Sequence, residues 1–282
     1  MSSQDNLFAR LERAISIRFG EDLPVDPQTP GIAELVRIAE HRSDRRYASK
    51  PVDPGMLRLL LACAFSAPSK SDLQQADVVD VRDADVRKAI ADLVPDMPWI
   101  GSAPVFLVFC GNSRRARLLS ELRGKPFAND HLDTFINAAV DASIVMTTFM
   151  RAAGAVGLGC CPISAVRRQP GLLSRILALP DWVFPLAGLC VGYPTEGERI
   201  TPRLPLQVTV HTDRYSEAAM QSLVDGYDRR RHALQPYAAQ RGVDQFGKAE
   251  FYGWSEDKAR QNALPEQADF GAFIRSKRFS LS

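Results

Sequence analysis

The chain opens on an amphipathic pattern. Leu7, Leu11 and Ile15 recur every four residues, with Phe8 and Phe19 beside the stripe, which predicts a short helix. Pro24, Pro27 and Pro30 then break any helix and predict an extended connector, after which a second short helix runs from about Ile32 into Glu40. From Asp53 the signals sharpen. Asp53 is a capping residue, Pro54 suits the first helical turn, Leu57, Leu60, Leu61 and Ala64 line one face, and Pro68 marks the stop. Residues 78–81 and 105–110 are β-branched and aromatic runs that predict strands. A long helix led by Asn129 and Asp130 runs to Gly154. It is apolar most of the way round, and Leu132, Phe135, Ile136, Ala139, Val140 and Ile144 are expected to face inward. A strand over 156–162, a helix near 171–179, a strand over 184–191, a turn at Gly192 and a helix over 214–235 follow. The tail from Phe246 mixes aromatics with charges, as an arm packed on other parts would. Helices and strands mix without regular βαβ alternation, so the expected fold class is α+β.

Composition narrows the function classes. A chain of 282 residues, 45% hydrophobic, can bury roughly 75% of its extended surface and needs no cross-links to form a core. Lys and Arg total 35 against 33 acidic residues, a net charge of +2, which gives no field for gripping nucleic acid or an anionic membrane. Neither is an expected partner. No apolar run approaches the ~20 residues of a membrane helix, and residues 1–5 lack the basic-then-apolar layout of a signal peptide. Cys63, Cys110, Cys160, Cys161 and Cys190 are odd in number and sit mostly in apolar runs, so they read as buried thiols of a cytoplasmic protein.

Several chemistries have no motif here. Gly154, Gly157 and Gly159 are spaced wrongly for a dinucleotide-binding turn. There is no P-loop, no nucleophile elbow and no zinc-ligand spacing. Cys160 and Cys161 are adjacent in a strand, where successive side chains point to opposite faces, so buried thiols are expected rather than a redox pair. His131, His211 and His232 are scattered, which fits surface or capping roles.

Four patches remain. Residues 41–46 pack an imidazole, a hydroxyl and three guanidinium groups, which suits a phosphate grip or a solvated charged stretch. Residues 66–74 form a polar loop after an apolar helix. Residues 157–165 end a strand in small residues, which suits close approach to a flat ligand or tight packing. Residues 188–194 lead to Arg203, which stands between two proline-bounded steps, for a phosphate or a surface salt bridge. Arg229, Arg230 and Arg231 could meet a nucleotide 2′-phosphate or form a solvated helix face.

Taken in order, the four patches resemble the nitroreductase family, in particular its NADPH-preferring flavin reductase and oxygen-insensitive nitroreductase branch. The H-R-S-x-R opening, the loop ending in L-Q, the G-L-G strand, and L-x-G-L-C-x-G-x-P with P-R-L-P carry the resemblance over roughly residues 39–215. Trp254 and the final helix look like the family's C-terminal arm. Residues 1–38 then form a helical extension and Pro-rich connector ahead of a domain spanning 39–282.

The resemblance implies an α+β subunit with a mixed sheet flanked by helices, in an intertwined homodimer with FMN at the interface. NADPH or NADH would be the donor, and nitroaromatics, quinones or flavins the acceptors, by ping-pong hydride transfer. His41, Arg42 and Ser43 would hold the FMN phosphate together with Arg203, and Arg45 would sit at the flavin pyrimidine edge. Ser69, Ser71 and Gln74 would come from the other subunit, and the segment Pro162, Ile163, Ser164 and Ala165 would approach flavin N5 and O4. The flavin carries the redox chemistry, so no catalytic side chain and no metal are expected. The sequence offers its own reason for a shared site. Patches 41–46 and 69–75 flank the helix 53–66, whose ends are ~20 Å apart. Thr201 stands where the branch often has a lysine, and Met97, Pro98 and Trp99 replace a more polar stretch. Two other readings use the same resemblance: different flavin chemistry such as dehalogenation or flavin fragmentation, and a non-catalytic flavin-binding or redox-sensing module.

Overall fold

A computed structural model describes residues 3–195 and 199–282. The reading of the opening segment falls partly on Met1 and Ser2, which lie outside the described residues. The elements run α1 (Ser3–Phe19), α2 (Ile32–Ala39), α3 (Pro54–Phe65), β1 (Ala76–Asp80), α4 (Ala84–Asp92), α5 (Trp99–Ser102) and β2 (Val105–Asn112). Then come α6 (Arg114–Leu122), α7 (Leu132–Ala155), β3 (Gly159–Ile163), α8 (Pro170–Ile176) and β4 (Val183–Gly192). The remainder is helical: α9 (Leu206–Thr209), α10 (Met220–Leu234), α11 (Val243–Phe246), α12 (Trp254–Asn262) and α13 (Phe270–Ser276). No helix among the described residues is long and apolar enough to cross a membrane.

The chain divides into two compact units, Met1–Arg42 with Arg199–Glu266, and Ser43–Glu198 with Gln267–Ser282. Residues 1–38 therefore group with 199–266, and the division does not follow the boundary at residue 38.

In the larger unit, one sheet runs β1-β2-β4-β3 with every strand pair antiparallel. The parallel component expected of a mixed sheet is one isolated bridge, Ser43 to Cys160. β2 is buried at every position and β4 at nearly every one, which is why both read as continuous apolar runs rather than alternating ones. Cys160 packs with Leu107, Phe109 and Phe149 on one face, and Cys161 with Phe106, Val108 and Cys190 on the other, as strand alternation requires. β3 begins at Gly159 rather than at 156, because α7 continues to Ala155. It is an edge strand in this sheet, the position where Pro162 costs no ladder donor. α3 forms as its sequence predicts: the Asp53 carboxylate accepts from Met56 N at 2.8 Å, and Leu57, Leu60 and Ala64 are buried. It ends at Phe65, ahead of the expected stop at Pro68.

The inward face of α7 differs from the sequence reading. Thr134, Ala138, Asp141, Ala142, Val145, Phe149 and Ala153 are buried, whereas Leu132, Ile136 and Val140 are 41%, 46% and 46% exposed. A helix apolar on all sides carries no phase, so its buried face is chosen by β2 and α3, against which it packs. Asn129 and Asp130 do not cap it. His131 holds that position without a side-chain bond, and Asp130 pairs with Arg117 at 2.6 Å. Phe273, Ile274 and Phe279 from the chain's end join Ala138 and Phe184 in a separate cluster, so part of the tail packs here.

In the smaller unit, α1 and α2 pack through Leu11, Ile32 and Val36. α10 starts at Met220, later than residue 214, and meets α12 edge-to-face through Tyr227 and Trp254 at 5.4 Å.

Candidate functional site

His41, Arg42 and Arg203, the residues expected to grip a phosphate, fall in the smaller unit, where α2 ends and the 201–205 segment passes. They gather around a residue the sequence reading did not single out. Arg18, at the end of α1, is 7% exposed. It donates through Nε to Ala39 O at 3.0 Å, through Nη1 to Thr201 O at 2.7 Å, and through Nη2 to His41 O. Arg203 N returns a bond to Arg18 O at 2.6 Å. Neither Arg18 nor Arg203 has a carboxylate partner among the described residues, so the salt-bridge alternative for Arg203 finds no partner. Desolvation, then the charges of Arg18, Arg203 and Arg42, hold the His41 imidazole below its ordinary pKa. Burial, then the charge of Arg203, lowers Arg18 as well. This is a cation cluster that favours an anion.

Arg230 belongs to the same network. Its guanidinium donates to Ile17 O at 2.9 Å, Arg18 O at 3.1 Å and Arg203 O at 3.0 Å, closing the C-terminal carbonyls of α1. Gly20 makes this approach possible: its φ is +73°, and a Cβ there would meet Arg230 Nε at 2.7 Å. Arg231 donates to Gln235 O at 2.9 Å and stacks on Tyr237. Two of the three arginines offered for a nucleotide phosphate are thus spent on the protein itself.

The rest of the opening motif lies in the larger unit. Ser43 bridges to Cys160, and Asp44 N donates to Cys160 O at 3.0 Å, so this segment runs along the β3 edge. Gly159 is required there, since a Cβ would fall 2.5 Å from the Asp44 carboxylate. Tyr47 pins the segment, its hydroxyl donating to Asp44 O, and burial pushes that phenol up so that it stays protonated. Arg45 is exposed, with its guanidinium 5.7 Å from the centre of the Trp99 ring. At the end of β3, Pro162 and Ser164 are exposed while Ile163 and Ala165 are buried, so alternate residues face outward.

The polar loop is held by a buried carboxylate. Asp141, 2% exposed on α7, accepts from Ser69 Oγ at 2.7 Å, Lys70 N at 3.1 Å and Gln75 N at 3.0 Å. Ser69 Oγ also accepts from Gln74 N at 2.7 Å, so both capacities of that hydroxyl tie the loop together. Ser71, Asp72 and Gln74 adopt φ of 50°, 57° and 51°, unusual for residues other than glycine. Ser71 and Gln74 are exposed at the tip. Ser69 and Gln74 also line a cavity of about 450 Å³ with Phe65, Gln75, Arg115 and Asp141.

Two sequence signals for these missed residues are visible once the fold is known. Asp141 interrupts the face formed by Ala138, Ala142 and Val145, and Arg18 continues the stripe of Leu11 and Ala14 at i, i+3 and i+7. A charge on a buried stripe is the common mark. Of the five cysteines, Cys63 is exposed and the other four are buried; burial raises the Cys110 thiol to about 12 and pushes Cys160 and Cys190 higher.

The nitroreductase family profile matches residues 38–193, and the profile of the family's C-terminal domain matches residues 201–282. The chain belongs to the nitroreductase family. Among nitroreductase relatives, the FMN reductase (NAD(P)H) of Bacillus subtilis is 38% identical over 194 residues, 68% of this chain and 78% of that one. The oxygen-insensitive NADPH nitroreductase of Salmonella typhimurium is 30% identical over 206 residues, covering 73% and 82%. The solved structure of the NADPH:FMN oxidoreductase from Vibrio harveyi complexed with NAD+ superposes with a TM-score of 0.76 at 25% identity, covering 86% of this chain and 97% of that one. α1, at Ser3–Phe19, lies ahead of both spans that match the nitroreductase profiles.

Proposed function

We propose that this nitroreductase binds FMN and oxidises NADPH or NADH, passing the electrons to small acceptors such as nitroaromatics, quinones or flavins, as a cytoplasmic homodimer. The observation that carries the reading is the grouping of the cations Arg42 and Arg203 with the buried Arg18 around the His41 imidazole, which fits a phosphate monoester. Family membership and the names of the relatives agree with it. FMN, when bound, supplies the hydride acceptance and donation, with donor and acceptor using one face in turn.

The chain's own residues bind and orient. His41, Arg42, Ser43 and Arg203 hold the phosphate. Arg45, over Trp99, brings positive charge to the pyrimidine edge, which favours electron uptake by the ring. Pro162, Ile163, Ser164 and Ala165 offer backbone to the ring at the end of β3. Ser69 keeps the polar loop in shape, and Ser71 and Gln74 extend from its tip toward the partner subunit's flavin. The exposed stripe of Leu132, Ile136 and Val140 on α7, with Leu59 and Phe65 of α3 56% and 48% exposed, supports the second copy as what covers this face. Free thiols support a reducing compartment.

The test is direct. The purified protein shows absorption bands near ~370 and ~450 nm from bound flavin and oxidises NADPH in the presence of a quinone. A colourless protein that ignores added FMN refutes the cofactor assignment, and a yellow protein without turnover makes it a flavin-binding module instead.

A further inference from the structure

α1 precedes both spans that match the family, and its place in the site follows from one side chain. Leu11 and Ala14 on its buried face meet apolar neighbours, as an amphipathic helix demands. Arg18 continues that face and carries a full charge into it. Burying a guanidinium without a carboxylate is costly, because carbonyl groups satisfy its N–H donors without neutralising its charge. Here all three nitrogens are placed on carbonyls, those of Ala39, His41 and Thr201, and Arg203 adds a second cation nearby. The carbonyls belong to the two segments that carry the grip: residues 39–41 lead into Arg42, and Thr201 lies two residues before Arg203. Thr201 itself brings no charge.

We infer that Arg18 is a positioning residue for the phosphate grip, fixing the backbone at His41 and Thr201 and adding a buried positive charge that a phosphate dianion neutralises. The extension is thereby part of the binding machinery. Arg230 holds α1 in register for this task, since it bonds the carbonyls of Ile17 and Arg18 and that of Arg203 together. No carboxylate among the described residues compensates this charge; it raises the energy of the free protein and is relieved on binding, so Arg18 acts on the phosphate end of the ligand and leaves the ring end alone.

The inference rests on the assignment of His41, Arg42 and Arg203 to the FMN phosphate, and one experiment separates the two. Apoprotein of the full chain is titrated with FMN and with riboflavin, which lacks the phosphate, and dissociation constants are read from flavin fluorescence. If wild-type protein binds both equally, the phosphate assignment fails and the inference falls with it. If wild type prefers FMN, Arg18→Met decides. It keeps the side chain's length and apolar stem and removes the charge and the fork. FMN affinity is expected to fall about 10–100-fold, the range of a charge-assisted contact, with riboflavin affinity unchanged within about twofold, and Arg18→Lys recovers part of the loss. Equal losses for both ligands, or an unchanged preference for FMN, overturn the inference and leave Arg18 a purely structural residue. Should Arg18→Met fail to reach the folded state by circular dichroism and gel filtration, Arg18→Lys carries the same comparison, with a several-fold loss confined to FMN as the expected result.

Discussion

The grip around Arg18 and the loop at residues 69–75 are both polar, both anchored by a buried charged residue, and built on opposite principles. Among the described residues Arg18 keeps its charge uncancelled: its partners are carbonyls, and the charged neighbour that acts on it, Arg203, is also a cation. Asp141 is saturated, with three donors around one carboxylate, and what it holds in place is a loop in which Ser71, Asp72 and Gln74 sit at positive φ. The first region stores electrostatic energy, which an anion releases and which salt and pH modulate. The second stores backbone strain, about 1–3 kcal/mol per residue, and depends on hydrogen bonds that salt hardly touches. If both regions serve the proposed flavin site, its binding is weakened by two kinds of substitution whose signatures differ.

The largest effect is expected at Asp141. Asp141→Ala leaves Ser69 Oγ, Lys70 N and Gln75 N without their acceptor, at about 1–3 kcal/mol for each unsatisfied group. The melting temperature should drop by roughly 5–15 °C, and flavin affinity should fall equally in low and high salt. A folded Asp141→Ala protein with wild-type flavin affinity would show that the loop's shape is irrelevant to the ligand.

A middle effect is expected at His41. Desolvation and the charges of Arg18, Arg203 and Arg42 hold its imidazole below the ordinary value of about 6.5. The unfolded chain therefore takes up this proton first as pH falls, so His41 makes stability decline between pH ~6.5 and its lower folded value, and has no further effect below that. An NMR titration should place His41 below the ordinary imidazole value, and inorganic phosphate or Arg18→Met should move it upward. A resonance that titrates at the ordinary value and ignores phosphate contradicts the cation cluster.

The smallest effect belongs to Ser71. Glycine accepts its φ of 50° without strain, a gain of about 1–2 kcal/mol, offset by roughly 0.5–1 kcal/mol of extra unfolded-state entropy. Ser71→Gly should thus leave the melting temperature within a few degrees of wild type while flavin affinity falls a few-fold. Unchanged affinity removes this hydroxyl from the ligand's contacts.

What the sequence made legible was whatever depended on near neighbours in the chain. The Asp53 cap with Pro54 at the first turn placed α3, and unbroken apolar runs placed β2 and β4. The motif at 41–46 and the loop at 69–75 were recognisable because their residue types are concentrated in a few positions. The face of α7 was not legible, since Leu132 and Ile136 are as apolar as Val145 and only the sheet decides which side is covered. Asp141 and Arg18 were hidden for a related reason. Asp141's partners lie 66 or more positions away, and Arg18's lie 21, 23 and 183 positions away, so a lone charge in a helix looks like solvent-facing polarity until those partners are in place.

The discontinuous unit, Met1–Arg42 with Arg199–Glu266, imposes an order on biosynthesis. Arg18 emerges from the ribosome ahead of the Thr201 carbonyl and Arg230 that complete its surroundings, which come 183 and 212 residues later, a delay of about 9–42 s at ordinary elongation rates. Until then, within this unit, α1 and α2 pack on each other through a small apolar patch, and Arg18 has the Ala39 and His41 carbonyls but lacks that of Thr201. Docking of the extension is therefore a late event on the nascent chain.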